Sequence, residues 1–247
     1  MDATPGNLDS PRAGDVDRAP AVRAMFDRIS GRYDLANRVL SLGMDRGWRR
    51  QALEALGGAA GGEVLDLCAG TLDFTSALIE SGASKVYAVD FSAAMLEEGR
   101  AKLAEEAPVE ILVADARELP LADSSVDGIL CGFGLRNVPG VEQAVGECAR
   151  VLRPGGRLVI LDFFQPEGAV SRMLQDSYNR WVVPWVGGMI TGSPDSYRYL
   201  ADSIDAFTTR TSFEQMLESQ GFRSTGREVF PPVASLIVGQ KPEVSGG

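Results

Sequence analysis

The chain has 247 residues and a formal net charge of −10, with 24 Lys and Arg residues against 34 Asp and Glu residues. This length suits one α/β domain with a terminal extension, and the negative charge argues against nucleic acid as the main partner, because phosphate binding relies on clustered Lys and Arg. The sequence has no histidine, which excludes an imidazole of this chain as a base or metal ligand.

The three cysteines, Cys68, Cys131 and Cys148, are too few for a disulfide framework and lack the paired spacing of metal ligands. They predict a reduced, cytoplasmic protein with no metal site. The sequence shows neither a signal peptide pattern nor a run of about 18 apolar residues. We therefore expect a soluble protein, with contact to the inner face of the membrane left open.

Composition divides the chain into one domain with two tails. Residues 1–20 are rich in Pro, Gly, Ala and Asp and contain hardly any apolar anchor, which predicts a disordered tail. Residues 21–241 have a globular composition and are predicted to form a single domain, whereas residues 242–247 are expected to fray. Residues 26–50 are predicted to form helices that fold over a ligand site, with core packing as the alternative account of most of their apolar and aromatic side chains.

Short β-rich runs alternate with longer helical runs between residues 63 and 164. Strands are predicted at 64–67, 85–89, 109–113, 126–133 and 157–163, and helices at 73–81, 93–104 and 141–152. Gly82, Pro108 and the turn Arg153-Pro154-Gly155-Gly156 separate these elements. Strict alternation predicts right-handed crossovers and a doubly wound, mostly parallel sheet with helices on both faces. The ligand of such a sheet lies beyond the carboxyl ends of the strands.

The first strand leads into a turn with one glycine, Gly70, and two carboxylates, Asp66 and Asp73. A dinucleotide site would need G-x-G-x-x-G here, and two carboxylates would repel a pyrophosphate. They suit a ligand that carries a positive amine or sulfonium. Alternatively, Asp73 favours the helix macrodipole and Asp66 forms the turn.

Aspartates also follow the second and third strands. Asp90 lies twenty residues after Gly70, a spacing that suits hydrogen bonds from both hydroxyls of an adenosine ribose; the alternative is a helix N-cap, a role that Ser92 could also fill. Asp115 could accept a bond from the adenine amino group, with Ala116 leaving room for the ring. Its alternative is also a helix cap.

The fourth strand ends in two glycines, Gly132 and Gly134, which allow a ligand to approach the backbone. Arg136 and Asn137 follow and would place polar groups at the carboxyl end of the strand. The alternative for Arg136 is a surface salt bridge.

These residues resemble a known family. The acidic turn, Asp90, Asp115-Ala116 and the Arg-Pro-Gly-Gly turn resemble a class I S-adenosylmethionine-dependent methyltransferase. Residues 25–30 with Tyr33-Asp34, residues 134–138 and residues 195–200 are similar to the menaquinone and ubiquinone biosynthesis C-methyltransferases. The resemblance implies a Rossmann-like fold, a helical N-terminal segment and a helical insertion after the fifth strand. It also implies S-adenosylmethionine as cofactor, with contacts from Thr71, Asp90, Asp115, Ala116 and Gly132.

The reaction implied by the resemblance is C-methylation of a polyprenyl quinol ring, with demethylmenaquinol as the leading substrate. A benzoquinol or another phenolic molecule is the alternative. In that reaction Arg136 would stabilise a developing phenolate and Asn137 would orient the hydroxyl. The proton acceptor would be water, a carboxylate, Tyr33 or Tyr197. Homo-oligomerisation is left open.

Two features keep other hypotheses open. The family usually has glycine where this chain has Leu72, so a bulky side chain is expected near the methionyl portion of the cofactor. This supports a catalytically idle adenosyl-binding scaffold as the non-enzyme alternative. Residues 181–190 are apolar but shorter than the about 20 residues of a membrane span. They are predicted to form either a substrate lid that touches the membrane surface or a plain core helix.

Overall fold

A computed structural model describes residues 19–41, 43–169, 172–173, 202–229 and 234–243. It contains one seven-stranded sheet with the strand order β3-β2-β1-β4-β5-β7-β6. The strands are β1 Glu63–Leu67, β2 Lys85–Asp90, β3 Val109–Val113, β4 Val126–Gly132, β5 Leu152–Asp162, β6 Arg223–Val229 and β7 Ala234–Gln240. The helices are α1 Ala19–Leu40, α2 Asp45–Leu56, α3 Asp73–Glu80, α4 Ala93–Arg100, α5 Val141–Val151 and α6 Arg210–Ser219.

The first five strands are parallel, and β7 is antiparallel to its neighbours β5 and β6. This confirms the predicted doubly wound, mostly parallel sheet. The bounds of β1 to β4 and of α3, α4 and α5 lie within four residues of those predicted, whereas β5 begins five residues earlier. α1 and α2 form the predicted N-terminal helical segment. Of the helices in the described segments, none is long and apolar enough to cross a membrane.

The sheet is covered on both faces, which explains its nearly continuous apolar strands. Ile129 of β4 packs into a core cluster that includes α5 and α6, whereas its neighbour Leu130 packs into the cluster that includes α2 and α3. Both side chains are fully buried. The period of two along the strand thus sends successive side chains to opposite helical layers.

The predicted Arg153-Pro154-Gly155-Gly156 turn does not separate α5 from the fifth strand. It lies inside β5, where the pairing with β4 shifts register: Val126 pairs with Leu152, but Gly128 pairs with Arg157. Gly155 has φ +78°, a conformation that glycine adopts without steric cost. The motif therefore forms an irregularity at the start of a strand, and the strand begins earlier than predicted.

Apart from the helical insertion, the sequence analysis proposed no element after residue 163, and α6, β6 and β7 were missed. β6 was missed because it lies at the edge of the sheet, where most of its residues are exposed or only partly buried instead of forming an apolar run. The predicted tails fall largely on residues 1–18 and 244–247, and most of the predicted insertion falls on residues 174–201. These segments lie outside the described residues.

Leu72, at the position where the family usually has glycine, precedes α3. It has φ 63° and ψ 26°, the left-handed conformation that favours glycine. Its side chain is fully buried in an apolar cluster with Ala69, Ala88 and Leu96. The expected position near the ligand was therefore wrong, because the side chain packs towards α4.

Gly99 of α4 provides the space for this packing. A Cβ atom on Gly99 would lie 2.5 Å from Cγ of Leu72 and 2.6 Å from the backbone oxygen of Thr71. A backbone atom cannot rotate away, so any side chain at residue 99 would push α4 away from the turn.

We predict that Gly99→Ala destabilises the protein by about 1–3 kcal/mol through overpacking, although alanine favours helices over glycine. The matched control is Gly47→Ala in α2, where a Cβ atom would meet nothing within 4 Å and where we expect a gain of about 0.5–1 kcal/mol. Urea denaturation measures both variants. Equal effects of the two substitutions would contradict the packing of Leu72 on Gly99.

Candidate active site

A crevice opens at the carboxyl ends of β1 to β4 and encloses about 710 Å³, including its open mouth. The structure brings together six of the predicted site residues in its walls: Gly70, Asp90, Asp115, Ala116, Gly132 and Asn137. Gly134, the second glycine predicted to let a ligand approach, also lines the crevice. Further lining residues, which the sequence analysis missed as ligand contacts, are Phe26, Leu67, Cys68, Val89, Phe91, Met95, Ala114, Phe133, Val138 and Pro139. The crevice therefore combines carboxylates with apolar and aromatic walls.

Asp90 ends β2 and is held by two backbone donors. The N–H of Gly70 donates to Oδ2 at 2.9 Å, and the N–H of Ser92 donates to Oδ1 at 2.8 Å. The N-cap of α4 is Ser92, whose hydroxyl accepts from Met95 N at 3.2 Å. Burial raises the pKa of Asp90 to about 6, against the lowering effect of its backbone donors. Asp90 therefore does not cap α4, and its carboxylate faces the crevice.

Asp66 lies beneath the turn rather than in the wall of the crevice. Its carboxyl group is 1% exposed and accepts a hydrogen bond from Oγ1 of Thr75 at 2.7 Å. Burial raises the pKa of Asp66 to about 7, while the hydrogen bond from Thr75 and the charge of Arg49 lower it. The structure thus holds a second buried carboxyl group behind Gly70.

Thr71 and Asp73 are engaged with Lys102 instead of facing the crevice. The side chain of Lys102 donates to the Thr71 carbonyl oxygen at 3.0 Å and to Asp73 at 3.1 Å. Thr71 is buried and Asp73 is the first residue of α3. For Asp73 the helix-start interpretation fits this position, because a carboxylate there favours the macrodipole.

Asp115 follows β3 and is oriented by Arg117, which the sequence analysis missed. Nη2 of Arg117 donates to Oδ2 at 2.7 Å, and Nε donates to Oδ1 at 3.0 Å. The backbone N–H of Arg117 also donates to Oδ1, at 2.8 Å. These bonds lower the pKa of Asp115. The carboxylate is therefore charged and fixed in orientation in the wall of the crevice.

Arg136 and Asn137 form a short 3-10 turn after β4, but only Asn137 lines the crevice. Nη1 of Arg136 donates to Oδ1 of Asp162 at 2.7 Å and to the Phe133 carbonyl oxygen at 2.6 Å. Arg136 is 6% exposed and Asp162 is 0% exposed. Arg136 thus forms the salt bridge that the sequence analysis gave as its alternative role, although the pair is buried rather than at the surface.

Aromatic residues directly follow the ends of three parallel strands. Phe91 follows β2, Phe133 follows β4 and Phe163 follows β5. The rings of Phe133 and Phe163 lie 5.1 Å apart, and that of Trp48 in α2 lies 6.3 Å from each. Their position after strand ends is a signal in the sequence that could have identified Phe91 and Phe133 as wall residues.

Two predicted residues are not tested by this geometry. Tyr197 and the side chain of Tyr33 lie outside the described residues, and so do residues 181–190. Within the described segments, no group of three His, Cys, Asp or Glu side chains is arranged to hold a metal ion.

The order of the polar groups along the crevice follows the order of the strands. Asp115 lies at the tip of β3, Asp90 at β2, Gly70 at β1 and Asn137 beyond β4, and these strands are consecutive neighbours in the sheet. An elongated ligand would therefore meet a charged carboxylate, a buried carboxylate and an aromatic wall in turn. This arrangement suits a nucleoside attached to an organic cation.

Comparisons with known proteins agree with this geometry. A model described as the ubiE/COQ5 methyltransferase family matches residues 14–237. The "Ubiquinone/menaquinone biosynthesis C-methyltransferase UbiE" of Syntrophotalea carbinolica is 42% identical, over 81% of this chain and 85% of that protein. The "Demethylmenaquinone methyltransferase" of Deinococcus radiodurans is 38% identical, over 94% of this chain and 97% of that protein.

A solved structure shares the fold at low sequence identity. It is described as "Complex between the Haloferax volcanii Trm112 methyltransferase activator and the putative methyltransferase", with a TM-score of 0.65 and 20% identity, covering 88% of this chain and 98% of that chain. At this identity the similarity describes the fold alone.

We predict that Asp66→Asn stabilises the protein at pH 8 and changes its stability little at pH 4. The pKa of Asp66 is raised from 3.8 to about 7 in the folded protein, so the folded state binds the proton more tightly than the unfolded chain does. Stability is therefore lost as the pH rises from about 4 to 7, and the amide removes this loss.

We expect a gain of about 1–3 kcal/mol at pH 8, somewhat less than the roughly 4 kcal/mol that a shift of three units represents. Thermal unfolding at pH 4 and pH 8 measures it, with Asp73→Asn as the control at a more exposed carboxylate of the same turn. A loss of stability at pH 8 would show that the ionised form is the one that the fold favours.

Proposed function

The chain belongs to the ubiE/COQ5 methyltransferase family, and we propose that it methylates a ring carbon of a polyprenyl quinol with S-adenosylmethionine. The leading substrate is demethylmenaquinol, in line with the names of relatives such as that of D. radiodurans. The observation that carries the proposal is the crevice in which Asp115, Asp90 and an aromatic wall succeed one another along the strand tips.

The residues present fit the nucleoside of this cofactor. Each oxygen of Asp90 accepts one backbone N–H, and a carboxylate has about four acceptor sites, so both oxygens can still accept a ribose hydroxyl. Asp115 would accept a hydrogen bond from the adenine amino group, with the adenine ring beside Ala116. A Cβ atom on Gly132 would collide with the ring of Phe74, so only glycine permits this close packing at the tip of β4.

S-adenosylmethionine supplies an electrophilic methyl group on sulfur when it is bound. The chain must hold the quinol carbon within about 3–3.5 Å of that methyl group and in line with it. Asn137, which lines the crevice together with Phe133, would orient a quinol hydroxyl, and the apolar walls would exclude water. The hydroxyl would give up its proton as the ring carbon attacks the methyl group, and the new C–C bond would form as the methyl–sulfur bond breaks, with S-adenosylhomocysteine as the leaving group. The methylated carbon would then lose its hydrogen as a proton while the oxygen regains one, so that the ring is aromatic again and one proton is released overall.

The role of Arg136 as a stabiliser of phenolate stays a prediction. Its guanidinium is paired with Asp162, which compensates part of its charge. Its hydrogen bond to the Phe133 carbonyl oxygen favours another role, in which Arg136 positions the wall against which the quinol ring would lie. Thr71 as a cofactor contact, and Tyr33 or Tyr197 as proton acceptor, remain hypotheses as well.

The lipophilic substrate favours contact with a membrane surface, and residues 181–190 are the segment that we assign to it. A polyprenyl tail partitions into the bilayer, so a peripheral protein could take up its substrate there. This assignment rests on the amino-acid sequence and the chemistry of the substrate.

Binding of S-adenosylhomocysteine is expected to weaken in acid. The pKa of Asp90 is raised to about 6, and hydroxyl donors bind the ionised form, so affinity is fully present above this pH and is lost as the pH falls through it. We predict a dissociation constant about tenfold higher at pH 5 than at pH 7, measured by calorimetry.

Asp90→Asn is the matched variant for this measurement. It should bind weakly at pH 7 and show little dependence on pH, because the titrating group is gone. If the acid-induced weakening persisted in Asp90→Asn, another group such as Asp66 would be responsible.

The function is tested by the quinone profile of cells that lack the protein. We expect accumulated demethylmenaquinone, detected by mass spectrometry, and its disappearance when the wild type, but not Asp90→Asn, is restored. Accumulated benzoquinone intermediates that lack the ring methyl group would support the ubiquinone alternative. An unchanged profile, together with no binding of S-adenosylhomocysteine, would favour the idle scaffold.

A further inference from the structure

Arg49 of α2 places an incompletely bonded guanidinium behind the crevice. Its Nη2 lies 3.6 Å from Oδ2 of Asp73, and its Nε lies 3.8 Å from Oδ2 of Asp45. Both distances exceed those of hydrogen bonds. Nε is buried and has no hydrogen-bond partner within the segments that the structure describes. A buried donor without a partner is disfavoured in proteins, which calls for an explanation.

Aromatic rings connect this guanidinium to the wall of the crevice. Cζ of Arg49 lies 4.9 Å from the ring centroid of Phe74 and 5.7 Å from that of Phe133. Phe133 lines the crevice, and the ring of Phe74 packs against the backbone of Gly132, which also lines it. Arg49 is therefore adjacent to the β4 end of the crevice, where its side chain is 17% exposed.

The order of the strands indicates which part of the cofactor lies there. If adenine lies at Asp115 beside β3 and ribose at Asp90 beside β2, the rest of the molecule extends across β1 towards β4. The amino-acid moiety then reaches the β1–α3 turn and Phe133. Arg49 contacts both of these features.

We propose that Arg49 binds the α-carboxylate of the amino-acid moiety of S-adenosylmethionine. This inference rests on the proposed function and adds a contact at the end of the crevice opposite to Asp115. Arginine presents planar, paired donors that match a carboxylate, and the carboxylate would satisfy the buried Nε. Lys102 compensates part of the charge of Asp73, which reduces the repulsion that the incoming carboxylate would meet.

The test compares two ligands that differ only in this carboxylate. They are S-adenosylhomocysteine and its decarboxylated analogue, S-(5′-adenosyl)-3-thiopropylamine, each titrated calorimetrically into the full-length protein. Arg49→Met keeps an apolar stem over Phe74 and removes the charge. Arg50→Met is the matched control, because Arg50 is the next residue of α2 and its side chain is 77% exposed.

We expect Arg49→Met to weaken the binding of S-adenosylhomocysteine roughly 10- to 100-fold, as for the loss of hydrogen bonds to a charged group. The affinity for the decarboxylated analogue should stay unchanged. Arg50→Met should bind both ligands like the wild type. Arg49→Lys keeps the charge without the planar donors, and should restore part of the preference for the carboxylate. It also provides a folded variant if Arg49→Met unfolds.

Two results would overturn the inference while leaving the proposed function intact. Equal losses for both ligands would mean that Arg49 acts on the wall through Phe74 and Phe133, and an unchanged preference for the carboxylate in Arg49→Met and Arg49→Lys would mean that it makes no contact. A wild type that binds neither ligand would instead overturn the proposed function, and this inference with it.

Discussion

The crevice depends on one buried carboxylate. Asp90 accepts the backbone N–H of Gly70 with one oxygen and that of Ser92 with the other, so it joins the β1–α3 turn to the start of α4. Ser92 caps α4 and donates through its hydroxyl to Asp27 of α1 at 2.5 Å. α1, whose Phe26 lines the crevice, is thereby linked through Ser92 to Asp90, which also lines it. Burial works against the ionised form of this group, and such opposition is typical of binding sites.

A second buried charge organises the other side of the crevice. The Arg136–Asp162 pair joins the ends of β4 and β5 and fixes the carbonyl oxygen of Phe133, a residue held at φ +59°. Removing one partner of such a pair leaves a buried charge, which typically costs 3–5 kcal/mol. Substitutions of Arg136 therefore act on the fold as well as on the wall. Asn137 lines the crevice and is not a member of this buried ion pair. A substitution of Asn137 therefore tests ligand contact with less effect on folding.

The sequence was sufficient for features that are local and was insufficient for those that join distant residues. Apolar runs and glycine turns located the five parallel strands, and the spacing of twenty residues located Asp90. Nothing local indicated that Asp162 would pair with Arg136, because the two lie 26 residues apart and meet only when β4 and β5 align. The proposed role of Arg49 was missed for the same reason, since tertiary packing alone brings α2 close to Phe133 in the wall of the crevice. The prediction relied on strands that alternate with helices along the chain, and the antiparallel β7 does not follow that alternation.

Leu72 shows how a departure from the family pattern can leave the site open. A left-handed conformation costs a non-glycine residue roughly 1–2 kcal/mol, whereas full burial of a leucine side chain contributes about 1.5–3 kcal/mol. The two effects are comparable, so the turn keeps its backbone shape with leucine in place of glycine. The side chain occupies the space that Gly99 leaves in α4 and does not line the crevice. The idle-scaffold hypothesis rested on obstruction by this side chain, and without that obstruction the acidic and aromatic walls remain accessible to a cationic nucleoside.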